Sequence, residues 1–493
     1  MYYLGIDLGS SSIKLALVEI ETGKCLGVIQ EPEKEMDIHA PKKGWAEQDP
    51  EDWWKYVCNG VHQIKKKFKV TKDEIKGIGI AYQMHGLVLI DDLGNPIRNS
   101  IIWCDSRAVT IGNKAYSEIG TAICDNEFLN SPGNFTASKL KWVQIHEPEN
   151  YEKIYKFMLP GDYIAFKLSD TINSTITGLS EGIFWNFKQD SVSEQLLDYF
   201  QFSKELFPNL VDTFSKQSEI SKKGALASGL KEGTPILYRA GDQPNNALSL
   251  NVFQPGEVAA TGGTSGVVYA ITNNLSVKES SRVNNFAHVN YKKNRLKNIG
   301  KLLCINGAGI QYRWLLNNLS VSSYEEMNKL ANEVEIGSDG VCVIPFGNGS
   351  ERMLLNQDIG TRILNLNLNR HSKSHICRAA LEGIAFSFVY GIEIMKSDGI
   401  EAKVIRAGND NLFRSKIFAN SIATLIQQEI EIYNTTGAIG AARACTISLD
   451  GYEKFSSFMK NDHVMTYMPF QDMKPFKKAY QNWKKELELI LNK

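Results

Sequence analysis

Two stretches of this chain follow one plan. Residues 3–20, YLGIDLGSSSIKLALVEI, and residues 257–274, EVAATGGTSGVVYAITNN, each run from an apolar strand through a turn of glycine and hydroxyl residues into a second apolar strand. Alternating apolar residues on both sides of a short small-residue turn predict a β-hairpin. The same plan met twice, so far apart, implies two domains built alike that divide near residue 253, one over 1–253 and one over 254–493. The length agrees, because 493 residues exceed what one core organises at roughly 100–200 residues per domain. The first hairpin also poses a problem. Asp7 stands in an apolar strand beside Gly5 and Gly9, and a lone buried carboxylate costs several kcal/mol unless something holds its charge.

Between and after the hairpins the pattern is α/β. EQDPEDWWKYVCNGVHQIKKKF predicts an amphipathic helix capped by Asp49, opened by Pro50, with Trp53, Val57, Val61 and Ile64 on one face. IKGIGIAYQMHGLVLIDDLGNPI returns to strands, and FTASKLKWVQIHEPE is helical. In the second half, KLLCINGAGIQYRWLLNNL predicts a strand running into a helix, and GVCVIPF and KVIRAG are buried strands. HICRAALEGIAFSFVYGIEIMK is a long helix. NDNLFRSKIFANSIATLI is expected as a helix entered through Asn411, and TTGAIGAARACTISL as a small-residue helix that can lie close against neighbouring backbone.

Charge and cysteine usage exclude several functions. Lys plus Arg and Asp plus Glu both number 55, so nothing electrostatic favours nucleic acid or an anionic membrane. The eight cysteines are scattered singly, which suggests neither a zinc cage nor a disulfide framework and fits a reducing cytoplasm. There is no basic, apolar leader pattern and no apolar run of spanning length, so a cytoplasmic protein is expected. G-x-x-x-x-G-K-[ST], G-x-G-x-x-G and H-E-x-x-H are all missing. GLSEG at 178–182 has the G-x-S-x-G form, but the polar NSTIT before it and strand-like IFWNF after it do not suit a nucleophile elbow at Ser180.

Four polar clusters end apolar strands, where α/β folds bind ligands: GIDLGSSS, YQMHG, YRAGDQPNN and TGGTSG. Gly-, Ser- and Thr-rich turns offer free N–H groups and hydroxyls to phosphate oxygens, and an Asp beside one can hold Mg²⁺ through water. Each turn taken alone is also an ordinary hairpin. Asp242, the second acid at a strand end, could take the proton of an alcohol that attacks a phosphoryl group, or could merely cap the helix after it. His85 could meet a substrate hydroxyl or be a satisfied core histidine. Trp103, Asp105 and Arg107 in IIWCDSR could line a polar pocket or form a surface ion pair.

In this order, the clusters resemble the FGGY family of carbohydrate kinases, within the sugar kinase, heat-shock ATPase and actin superfamily. GIDLGSSSIK, GWAEQDPEDWW, GIAYQMHG, IIWCDSR, FTASKLKWVQIHEPE, LPGDY, AGDQ, GGTSG and TGAIGAARA, spread from residue 5 to about 444, are most similar to the xylulokinase branch. The resemblance implies an α/β protein of two ribonuclease H-like domains around an interdomain cleft that binds ATP, Mg²⁺ and a small sugar. It implies phosphorylation of a ketose, D-xylulose before other polyols or ketoses such as ribulose or glycerol; a nucleotide-gated binding protein on the same scaffold is the non-catalytic alternative. By the same resemblance, Asp242 is the catalytic base and Asp7 positions the metal. Met84, His85, Gln243 and Trp103 face the sugar, and Ser10, Ser11, Ser12, Gly263 and Thr264 cradle phosphates. Gly408, Asn409 and Asn411 meet the adenosine with Gly437. The Gln243-Pro244-Asn245 run after the base departs from xylulokinases toward glycerol kinases, and AGNDN holds less glycine than the usual adenosine segment. Dimers are usual among such kinases, although no stretch shows an interface.

Overall fold

The computed structural model describes residues 1–492, apart from the side chain of Asn411. The strands of its two large sheets are β1 (Tyr2–Leu8), β2 (Ile13–Glu19), β3 (Cys25–Glu31), β4 (Ile75–Tyr82), β5 (Phe214–Glu219) and β6 (Pro235–Gly241) in the first. In the second they are β7 (Glu257–Gly262), β8 (Gly266–Thr272), β9 (Asn284–Ala287), β10 (Ile299–Ile305), β11 (Val404–Gly408), β12 (Ile430–Tyr433) and β13 (His463–Tyr467). The first sheet is ordered β5-β6-β4-β1-β2-β3 and the second β9-β10-β8-β7-β11-β12-β13.

Remove the edge strands β5, β9 and β13 and the two sheets become one pattern. A three-stranded antiparallel meander (β1-β2-β3; β7-β8-β10) is extended by two strands parallel to its first member (β4 and β6; β11 and β12). This is the ribonuclease H-like arrangement, present twice, as the repeated hairpin predicts. Parallel neighbours need crossover helices. The crossovers include α1 (Pro50–Phe68), α2 (Thr136–His146), the short α3 (Ile176–Glu181), α5 (Gly309–Asn318), α6 (Lys373–Ser397) and α7 (Lys416–Ile426). Helix α4 (Asp242–Ser249) leads from the first sheet to the second, and α8 (Gly437–Asp450) precedes the antiparallel edge strand β13.

Helix α1 starts as its sequence dictates. Asp49 accepts from the Glu51 amide, Pro50 sits in the first turn, and Trp53, Val57, Val61 and Ile64 are buried against the first sheet. Helix α6 is buried along most of its length within the second core. The expected helix through Asn411 is corrected: residues Asn411–Arg414 form a single 3-10 turn, and α7 starts only at Lys416 because Ser415 has extended backbone angles.

The halves meet through small residues. A Cβ on Gly5 of β1 would lie 1.9 Å from the Ala438 carbonyl oxygen, and one on Gly79 of β4 would lie 1.9 Å from that of Ala441. Helix α8, carried by the second half, thus rests directly on the first sheet, as its glycine and alanine content allows. Helix α4 packs on α8, where a Cβ on Gly440 would meet Ser249 at 2.4 Å. Among the described residues no helix is long and apolar enough to cross a membrane.

Candidate active site

Adjacent parallel strands β1, β4 and β6 all end on the same edge of the first sheet, facing the second half. Asp7 comes from β1, Gln83 to His85 follow β4, and Asp242 opens α4 directly after β6. The four polar clusters of the sequence all occupy strand ends as expected. Across the crevice lies the start of α8: a Cβ on Gly437 would stand 2.5 Å from Asp7 Oδ2 and 3.4 Å from Asn245 Nδ2.

Both carboxylates are perturbed. Burial raises the Asp7 carboxyl above its ordinary value, and Lys14, its register partner on β2, draws it back. Asp242 is pushed up to about 7, by burial first and then by the negative charge of Asp7; the main-chain and side-chain amides of Gln243 oppose this. Desolvation plus a like charge is the pattern that acid–base sites use to bring a carboxyl near neutrality. The two acids, distant in sequence, therefore share one electrostatic environment.

At the sugar-loop candidates, Met84 is buried against Gly241, and His85 is half-buried at φ +60°. The imidazole lies between Phe135 and Phe286, at centroid distances of 4.8 and 5.2 Å, so residues of both halves enclose it. Burial holds its pKa down near 3, and the ring stays uncharged. Trp103 is half exposed and donates from Nε1 to Ser10 Oγ at 3.2 Å, which sets it against the first hydroxyl-rich turn. In that turn Gln48 donates to the Ser10 carbonyl at 2.7 Å, the Met36 amide donates to the Ser11 carbonyl at 2.7 Å, and the Gly9 amide donates to the Ser12 carbonyl at 3.1 Å. Gln48 also accepts from Trp53 and Gln83, so one buried amide fastens the turn to the loop after β4.

Asp105 and Arg107 do not form the surface pair that such residues usually make. Asp105 is fully buried, and the Arg107 guanidinium, 1% exposed, bonds Asp105 and Glu47, each at 2.7 Å, while lying 3.8 Å over the Trp45 ring. This knot ties GWAEQDP to IIWCDSR. Ser180 is locked as well: it donates to the Thr177 carbonyl at 2.8 Å and accepts from the Ala287 amide at 3.0 Å, and it lies inside α3 rather than on a turn. It is placed to connect the two halves and not to attack.

On the second half, Gly263 and Thr264 line a cavity of about 770 Å³ together with Tyr312, Tyr324, Lys329, Leu412 and Arg414. The first amides of α5 clip the turn in place, Gly309 N–H to Gly263 carbonyl and Ile310 N–H to Thr264 carbonyl, both 3.0 Å. Tyr312 and Tyr324 stack at 5.6 Å, 18° from parallel. Gly408 and Asn409 are not among its walls; they sit at the end of β11 beside Asp410, which feels the charge of Lys14 across the crevice. The Asn411 side chain lies outside the described residues. This stretch contributes to the cavity wall from Leu412 onward, through the 3-10 turn and the start of α7. Tyr312, Tyr324, Glu181 and Lys139 escaped sequence reasoning, since single residues inside helices carry no spacing signal. Gln48, Lys139, Glu181, Asn245 and Tyr312 all stood within quoted segments without being singled out as site residues.

Known proteins share this two-domain architecture. Residues 2–249 match the family of FGGY carbohydrate kinases, N-terminal domain, and residues 258–449 the C-terminal domain of the same family. The chain is 26% identical to a xylulose kinase of Staphylococcus xylosus over 494 residues, 98% of each. In fold it is similar to the crystal structure of xylulose kinase from Rhodospirillum rubrum (TM-score 0.87, 21% identity, 100% of each chain). It is equally similar to the Plasmodium falciparum glycerol kinase crystallised with ADP (TM-score 0.87, 22% identity, 99% of this chain and 98% of that one). The doubled sheet, the crevice and these matches over both halves lead to one statement: the chain belongs to the FGGY family of carbohydrate kinases.

Proposed function

We propose that this carbohydrate kinase transfers the γ-phosphoryl group of ATP to the terminal hydroxyl of a ketose, D-xylulose, giving D-xylulose 5-phosphate and ADP. The observation that carries the mechanism is geometric: Asp242 opens α4 directly after β6, in the same run of parallel strands whose β1 carries Asp7 at its C-terminal end. A carboxyl with a pKa of about 7 is matched to accepting a proton from an alcohol near neutral pH. Asp242 takes the hydroxyl proton as the substrate oxygen bonds to γ-phosphorus and the bond from phosphorus to the bridging oxygen of ADP breaks. Gln243, on the same helical turn, steadies the carboxylate through its amides.

Asp7 suits Mg²⁺. It is a half-buried carboxylate whose charge reaches a second one, Asp242, and among the described residues there is no group of three or more acidic, His or Cys side chains that would cage a metal. A cation that keeps most of its waters and needs only one or two carboxylates fits that donor set. Bound there, Mg²⁺ would supply neutralisation of the charge on the transferred phosphoryl group. Ser10 to Ser12 on one side and Gly263 with Thr264 on the other present hydroxyls and amides for phosphate oxygens. The nucleoside fits the cavity walled by Tyr312 and Tyr324. Met84, His85 and Trp103 serve the sugar, and we place the division between the two domains near residue 253.

The choice of D-xylulose draws support from the relative named as a xylulose kinase and from QMHG. Gln243 after the base favours a second reading, a kinase for another polyol or ketose such as glycerol or ribulose. A panel of D-xylulose, L-xylulose, D-ribulose, L-ribulose and glycerol, with kcat/KM measured by ADP release, decides between them. D-xylulose is expected to lead; a clear preference for any other member replaces it.

A further inference from the structure

His85 is gripped from both sides by two residues with no assigned role, one of them through its main chain as well as its side chain. Its backbone N–H donates to Glu181 Oε1 at 3.3 Å, and its ring Nδ1 lies 2.9 Å from the Glu181 carbonyl oxygen. A carbonyl oxygen only accepts, so the ring proton sits on Nδ1 and Nε2 is left as an acceptor. From the other side the Lys139 ammonium donates to the His85 carbonyl and to the Ile102 carbonyl, both at 2.9 Å. The second bond anchors the stretch that leads into Trp103.

Neither gripping residue is there for packing alone. Lys139 and Glu181 are each 0% exposed. Burial lowers the Lys139 ammonium to about 7 and raises the Glu181 carboxyl far above its ordinary range, and Glu181 Oε2 has no hydrogen-bond partner. Burying two ionisable groups costs stability that a leucine or methionine would not. Residue 85 itself sits at φ +60°, a conformation that a non-glycine residue keeps only when its surroundings fix it. Both costs fall on one residue, beside the catalytic crevice: Glu181 Oε2 would lie 2.4 Å from a Cβ on Gly241, the neighbour of Asp242.

We propose that Glu181 and Lys139 are positioning residues that hold His85 in its Nδ1-protonated form, with Nε2 presented to the carbohydrate as a fixed hydrogen-bond acceptor. The inference rests on the assignment of His85 to the sugar made above. A fixed acceptor selects a hydroxyl at the facing carbon. A deoxy or keto analogue at that carbon leaves Nε2 unpaired and is rejected, because an unsatisfied buried polar group is costly.

The test uses the full chain with D-xylulose and ATP, alongside ¹⁵N ring spectra of histidine-labelled protein in which His85→Gln assigns the signal. Wild type is expected to show Nε2 unprotonated. Lys139→Met and Glu181→Leu keep the main-chain carbonyl of residue 181 but release the His85 carbonyl and amide, which frees the ring to leave that carbonyl. They are expected to mix the tautomers and raise the sugar KM by roughly 10–100-fold, with the ATP KM within about twofold. Lys139→Arg keeps donors and Glu181→Gln keeps the acceptor, so both should restore most of the loss. An Nε2-protonated wild-type ring overturns the proposal, as do apolar variants that keep both tautomer and sugar KM. If an apolar variant does not fold, the wild-type spectrum and the conservative pair decide, and conservative variants as impaired as His85→Gln count against the proposal. If His85→Gln leaves the sugar KM unchanged, the sugar assignment fails while the tautomer spectra still judge the grip.

Discussion

Asn245 donates from Nδ2 to the carbonyl of Gly437 at 2.9 Å. The bond adds a polar tie to the packing between the helix opened by Asp242 and the helix whose first residue crowds Asp7. Asp7 and Asp242 are both carried by the first sheet, and the start of α8 from the second half closes against them at this contact.

Gly437→Ala tests this junction. The new Cβ would stand 2.5 Å from Asp7 Oδ2, so the carboxylate must move. We expect kcat to fall by roughly 100-fold, as for a displacement of about 1 Å at a reacting group, and the Mg²⁺ concentration needed for half-maximal rate to rise. Circular dichroism should remain that of wild type. Unchanged kinetics would detach Asp7 from the metal.

Asp242→Asn should lower kcat by roughly 10²–10⁴-fold while nucleotide affinity, measured by calorimetry, stays near wild type. Near-normal turnover would remove Asp242 from the role of base.

The same substitution has a signed effect on stability. The folded pKa of about 7 lies above the ordinary 3.8, so the folded protein keeps a proton that the unfolded chain releases in that window. Stability from this group is therefore present at acid pH and lost as pH rises through the window. Asp242→Asn should melt roughly 2–6 °C above wild type at pH 8, and close to it at pH 4.5, by differential scanning calorimetry. A variant less stable at pH 8 would contradict the assigned shift.

Arg107→Ala should act on the fold and spare the chemistry. It leaves Asp105 buried without its bidentate partner, a loss of about 3–5 kcal/mol. A sharply lower melting temperature is expected, with the sugar KM of the surviving folded fraction within about threefold. A selective rise in sugar KM at wild-type stability would place Arg107 in the pocket instead.

Tyr324→Ala should raise the KM for ATP by roughly 3–10-fold, the worth of one aromatic contact, and leave the sugar KM alone. The reverse split would move the nucleoside out of the cavity beside Gly263.

The sequence by itself determined a good deal. Apolar alternation around two glycine- and hydroxyl-rich turns is a local property, and it carried both hairpins, their duplication, and the strand ends that bear Asp7, His85, Asp242 and Thr264. The glycines and alanines of α8 announced a close approach, because only residues without bulk let backbone meet backbone, as at Gly5 and Gly79. Other features rest on contacts between residues far apart in the chain, and no local pattern encodes them. Only the tertiary structure decided that Asp105 and Arg107 turn inward between Trp45 and Trp142, that the nucleoside-sized cavity is walled from Leu412 rather than Gly408, and that Glu181 and Lys139 close on His85. A charge reveals its burial and its partner only once the chain has folded, because desolvation and pairing depend on every element packed around it.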